Sequence, residues 1–193
     1  MFRTVNVHVE GIAPLLMHNG RLANPLDPYA KRLKELTAKR KKTDADHEAI
    51  ALAEWEGGLY LNEKHQPIIP GENIEAAIVS AAKKHKLGPL FKASVFSDGC
   101  WVLKHDGPKS LEALRDDERF HDMRGVRVTT SRVMRARPIF RRWELTFGVS
   151  YDDDDVNPSQ MEQMLQVAGK SVGLGDYRPK FGRFRVVSIK PAG

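Results

Sequence analysis

Apolar and polar residues alternate along 2–10 (FRTVNVHVE), with Val5, Val7 and Val9 on one side and Thr4, Asn6 and His8 on the other. That period predicts a strand with one buried face, and gives His8 a place on its outer face. Residues 11–28 are broken by Pro14, Gly20, Asn24-Pro25 and Asp27-Pro28, with Leu15, Leu16 and Met17 tucked inward. A helix over 27–42 has Leu33 and Leu36 as a thin apolar stripe and ends in Lys39-Arg40-Lys41-Lys42. A second helix opens at Thr43 or Asp44, carries Ile50, Leu52, Ala53 and Trp55, and stops at Gly57-Gly58. After a short strand at 59–61, Ile74, Ala77, Ile78, Ala81 and Ala82 form a core-facing helical stripe, closed by Lys83, Lys84, Lys86 and Gly88-Pro89. A strand is expected within 95–103 and a clearer one at 143–151 (WELTFGVSY). Asn157, Pro158 and Gln160 start a helix bearing Met161, Met164, Leu165 and Ala168, and 183–189 reads as the closing strand.

Without the helical pair at 27–57, the order is strand, helix, strand, strand, helix, strand. This βαββαβ pattern predicts an α+β, ferredoxin-like fold, an antiparallel sheet with helices on one face. Such sheets handle single-stranded nucleic acid in RNA-recognition motifs, but the aromatic strand motifs of that class are missing here. The chain of 193 residues is expected to be a single domain, with 27–57 as a helical insertion and 119–142 as a basic arm.

Composition narrows the function. Hydrophobic content of 41% with 29% charged residues describes a soluble globular chain. No apolar run is long enough to span a bilayer, and the alternating start is not a secretory h-region. Cys100 is the one cysteine, which excludes a disulfide scaffold and a cysteine zinc site and fits a reducing, cytoplasmic location. The formal charge of +6 favours polyanions. It is concentrated: Arg119, Arg124, Arg127, Arg132, Arg135, Arg137, Arg141 and Arg142 crowd 119–142, opposed by Asp122 alone. Arginine grips phosphate with a planar fork and stacks on bases. Val126, Val128 and Thr130 alternate with Arg127 and Thr129, so part of this stretch is an extended hairpin. A second cationic stretch is Gly173-Leu174-Gly175-Asp176-Tyr177-Arg178-Pro179-Lys180-Phe181-Gly182. Glycines permit close approach, Arg178 and Lys180 attract phosphate, and Tyr177, Phe181 or Phe140 offer faces to bases. The acids at 152–155 read as a solvated turn, because consecutive carboxylates lack a cage-forming spacing. No phosphate loop, zinc pattern, nucleophile elbow or dinucleotide fingerprint is present, so no cofactor and no metal are expected.

These stretches resemble the RAMP superfamily of CRISPR–Cas proteins. The glycine-rich loop of that family reads glycine, hydrophobic, glycine, a spacer with a basic residue, then glycine, hydrophobic, glycine. Gly173-Leu174-Gly175 matches its first half, Arg178 and Lys180 its basic residues and Gly182 its next glycine, while Arg183 and Phe184 depart from the pattern. Pro70-Gly71 resembles the family's entry to its first core helix, and 127–142 lies where CRISPR backbone subunits carry a thumb hairpin. The whole chain also looks like small proteins of tailed phages and prophages. The resemblance implies a protein that binds single-stranded RNA or DNA and assembles as a homo-oligomer, head to tail, with no membrane contact. Arg127, Arg132, Arg135, Arg137, Arg141 and Arg142 would grip phosphates. Arg178, Lys180 and the amides of Gly173, Gly175 and Gly182 would form a second anion cradle. Phage encoding would place it in the bacterial host cytoplasm.

Two other functions fit the same residues. One is a phage structural, assembly or protein-binding module, whose basic arm meets an acidic partner. The other is a metal-independent RNA endonuclease using a histidine base, for which His18 is the candidate. Of the three, nucleic-acid binding, more in keeping with a protein that is not an enzyme, fits the one-sided charge of 119–142 best.

Overall fold

The computed structural model describes residues 1–128 and 131–192; Thr129 and Thr130, expected in the arm, and Gly193 lie outside them. In chain order the elements are β1 (Phe2–Gly11), β2 (Leu15–Leu16), α1 (Pro28–Ala38), α2 (Asp44–Gly58), β3 (Ile68–Pro70), α3 (Gly71–Lys84), α4 (Gly88–Ser94), β4 (Val95–Phe96), β5 (Cys100–Val102), β6 (Lys104–His105), α5 (Leu111–Arg115), β7 (His121–Val128), β8 (Ser131–Phe140), β9 (Trp143–Asp152), α6 (Pro158–Ser171) and β10 (Phe184–Pro191). They divide into two compact units. The first comprises Met1–Leu15, Leu61–Asp106 and Phe140–Gly193, and the second Leu16–Tyr60 and Gly107–Ile139.

In the first unit an antiparallel sheet runs β10-β1-β9-β4, with β6 also on β9. With α3 and α6 packed on each other this is the ferredoxin-like arrangement. The buried side chains alternate as the sequence predicts: Val5, Val7 and Val9 on β1, and Leu145, Phe147 and Val149 on β9. The stripe from Ile74 to Ala82 on α3 and that from Met161 to Ala168 on α6 are buried.

Three local details differ from expectation. A strand does lie within 95–103, as β5, but it leaves the main sheet: β4 and β6 pair with the two ends of β9, and between them the chain swings out to pair β5 with β3. Ser97 holds this excursion, donating through Oγ to Gly148 O at 2.8 Å and accepting from Trp101 Nε1 at 3.2 Å. Gly88-Pro89, expected as a helix end, also opens α4, because proline suits the first helical turn. Residues 59–61 form no strand, only an isolated bridge from Leu61 to Pro67.

The second unit holds α1, α2 and α5 with the β7–β8 hairpin. Thr43 and Asp46 close a capping box on α2. Arg21 finishes its other end, donating to Gly57 O at 3.0 Å and Leu59 O at 2.8 Å. Trp55 is fully buried, donates to Phe120 O at 2.8 Å and stacks on His121 at 4.8 Å. The first helix stops at Ala38, short of the basic run, and Lys39 turns to Asp46 at 2.5 Å. No helix among the described residues is long and apolar enough to cross a membrane.

Candidate nucleic-acid interface

The glycine loop leaves α6 in the first unit. Its turn is tied by its own backbone: Gly173 N donates to Ala168 O at 2.8 Å, Leu174 N to Gly182 O at 2.9 Å and Gly182 N to Pro14 O at 2.7 Å. The amides of Gly173 and Gly182 are therefore consumed by carbonyls, which corrects the expectation that they cradle an anion. Both residues serve close backbone approach instead. Each has positive φ, 83° and 73°, and a Cβ would fall 2.7 Å from Phe181 O and 1.8 Å from Leu174 O respectively. Gly175 shares the left-handed conformation, with φ 73°.

The loop's side chains separate by burial. Tyr177 is 47% exposed, while Phe181 is 7% exposed and lies edge-on to it, with centroids 5.9 Å apart. Phe181 thus supports Tyr177 and has no face left for a base. Arg178 and Lys180 are exposed. An open cleft of about 510 Å³ lies alongside, where the cations Lys84 and Arg178 meet the carboxylate Asp176, with Ser80, Ser171 and Tyr177 beside them. Lys84 donates to Ser171 O at 2.9 Å, which fixes its ammonium at the rim. Sequence reasoning missed Lys84 as a site residue because its place in the last turn of α3 already explained a cation.

In the second unit the arm's register sorts the arginines. Arg127 stands opposite Arg132, and Arg124 opposite Arg135, three residues along and so on the other face. Arg127 and Arg132 are exposed. Arg124 is paired with Asp122, and Arg135 with Glu54 of α2. Arg137 is 8% exposed, so its guanidinium is withdrawn from the surface and from the phosphate role expected of it. Glu54 is itself buried and also accepts from Ala136 N at 2.9 Å. Removing it strands a cation and an amide, so Glu54→Ala should cost about 3 kcal/mol in urea denaturation, and Glu54→Gln clearly less.

Arg141 and Arg142 belong to the first unit and are exposed in the turn before β9. Arg142 borders a cleft of about 420 Å³ with Lys104, His105, Glu10 and Glu144. Phe140 is fully buried, which removes it as a stacking face. It packs on His105, with ring centroids 5.1 Å apart. Burial pushes the His105 imidazole below its ordinary value, against a smaller upward pull from Asp106. As pH falls below about 6.5 the unfolded chain takes up this proton first, so the stability His105 contributes is present above that pH and is lost below it. Between neutral and mildly acidic pH, the thermal midpoint of His105→Gln should fall less than that of wild type.

His18 is exposed, and its carbonyl accepts from Tyr60 Oη at 3.3 Å. The carboxylates of Asp152, Asp153 and Asp154 approach within 4.8 Å of one another, with Arg3 donating to Asp153 at 3.1 Å.

No family model matches the chain, and no match is found among curated proteins. Among solved structures the chain is similar to one in the cryo-EM structure of the Type III-B Cmr-beta bound to cognate target RNA. The TM-score is 0.52 at 10% identity, over 98% of this chain and 60% of that one. The chain thus spans about 60% of the length of the chain it matches. At that identity the likeness is one of fold: the architecture is α+β, built on an antiparallel sheet.

Proposed function

We propose that the chain binds single-stranded RNA or DNA along its phosphates. The observation that carries this reading is the gathering of Lys84, Arg178 and the exposed Tyr177 around one open cleft at the glycine loop. Cations hold phosphate there while an aromatic face takes a base. The exposed Arg127–Arg132 rung and the Arg141-Arg142 turn add further phosphate contacts. Arg135 contributes only if it leaves Glu54, and Arg137 and Phe181 support the fold around the contacts. The fold likeness to a chain from an RNA-bound Cmr-beta makes RNA the first ligand to test. Several copies arranged head to tail along one strand extend the same contacts without new chemistry.

The test is anisotropy titration with labelled single strands of about 20 nucleotides, RNA and DNA, against a duplex control. Six phosphate contacts give a slope of log affinity against log salt near −4 for single strands. Affinity should then fall roughly three-hundredfold between about 50 and 200 mM salt. Binding that is absent, or indifferent to salt, removes the reading.

A further inference from the structure

Along β9 the side chains of Trp143, Leu145, Phe147, Val149 and Tyr151 are buried on one face, so 144, 146, 148, 150 and 152 point to the other, where Thr146 is exposed and Gly148 is covered. Register carries that face onto β1, where Asn6 stands opposite Gly148, Thr4 opposite Ser150 and Phe2 opposite Asp152. It carries it also onto β4, where Phe96 stands opposite Ser150.

Three aromatic rings lie on this otherwise polar face. A Cβ on Gly148 would come within 3.0 Å of the Trp101 ring, so the indole brought in by the β5 excursion lies over that glycine. Phe96 sits one row further, and Phe2 heads the next, their centroids 5.9 Å apart. Phe2 is 58% and Phe96 36% exposed. Rows two residues apart are separated by about 7 Å, roughly twice the stacking rise of bases. Between the rings are hydroxyl and amide groups, with Thr4 and Ser150 2.9 Å apart and Asn6 exposed beside them. At one end stand Lys104 and Arg142, with Asp106 in the same cleft, while Glu10 is already engaged by Arg185 and Glu144 lies 3.3 Å from His8. At the other end Asp152 and its acidic neighbours border Phe2.

We infer that this open face is a stacking platform for a single-stranded oligonucleotide, with phosphates entering over Lys104 and Arg142 and bases lying on Trp101, Phe96 and Phe2. The inference rests on the nucleic-acid reading and adds a contact surface to it. Alternation of π-faces with hydrogen-bonding side chains suits bases, which present the same alternation of face and edge. The acids beyond Phe2 repel phosphate, so the strand's backbone stops there and only a base reaches that ring.

The experiment uses the full chain and oligouridylate or oligothymidylate of about 15 nucleotides. Phe2→Ala/Phe96→Ala alters exposed rings only, and circular dichroism checks that the fold is kept. The double variant should bind at least about fivefold more weakly, with the salt slope unchanged because no phosphate contact is lost. Trp55 and Trp143 are 0% and 3% exposed, so quenching of wild-type tryptophan fluorescence by the oligonucleotide reports Trp101. Unchanged affinity in the double variant overturns the platform while the nucleic-acid reading stands. A wild type that binds no oligonucleotide overturns both. A double variant that keeps its affinity but falls from oligomer to monomer assigns the face to a protein partner and overturns the platform.

Discussion

Arg127→Glu together with Arg132→Glu should lower affinity for a single strand by about a hundredfold near 100 mM salt, and flatten the salt slope by about 1.4. The register puts these two side chains directly opposite each other on one face of the hairpin, and both are exposed. Like charges so placed destabilise a strand pair by up to about 1 kcal/mol, and a bound phosphate between them offsets that repulsion. Reversal removes two phosphate contacts and adds two repulsions. Arg124→Ala probes the other face of the hairpin with a single neutralisation, because Arg124 faces the other way and is paired with Asp122. It should change affinity much less. An equally large loss from this smaller change would mean that the Arg127–Arg132 face has no special part in binding.

Gly182→Ala should lower the thermal midpoint by about 10 °C, corresponding to roughly 3–4 kcal/mol. The added Cβ would lie 1.8 Å from Leu174 O, and the residue has φ 73°. Backbone atoms cannot swing aside as a side chain does. Leu174 N bonds Gly182 O, and Gly182 N bonds Pro14 O, so any relief of the clash breaks the closure of the loop. Gly20→Ala is the natural comparison, since a Cβ there meets nothing within 4 Å. It should stay within about 0.5 kcal/mol of wild type. If Gly182→Ala were equally mild, the loop would be far looser than its hydrogen bonds require.

What was legible in the sequence follows from where each cause lies. β1, β9, α3 and α6 each bury one regular face, so their period shows in the residues themselves. The strand within 95–103 is different. Trp101, Val102 and Leu103 alternate like a strand, but the chain's departure is fixed by Ser97 and by bare Gly148 on another strand. The site divides the same way. Residue chemistry marked the cations of the arm and the glycine loop. Which of them face outward depends on Glu54, on the cross-strand register and on the carbonyls that take up the glycine amides. None of these partners adjoins the residues it controls. The aromatic rings of the sheet's outer face were invisible for the same reason, since Phe2, Phe96 and Trp101 come from three segments and no local motif contains them.

β1 occupies the middle of its sheet, yet both strands beside it, β9 and β10, begin at Trp143 or later. A ribosome therefore releases the central strand well before its neighbours. Until they emerge Val5, Val7 and Val9 have no sheet to cover them, and both edges of the strand stand open to other chains. Such long-range pairing delays folding of this unit until β9 and β10 have been made. A nascent chain that stalls before Trp143 carries a sticky strand with nowhere to go, and becomes work for chaperones or proteases.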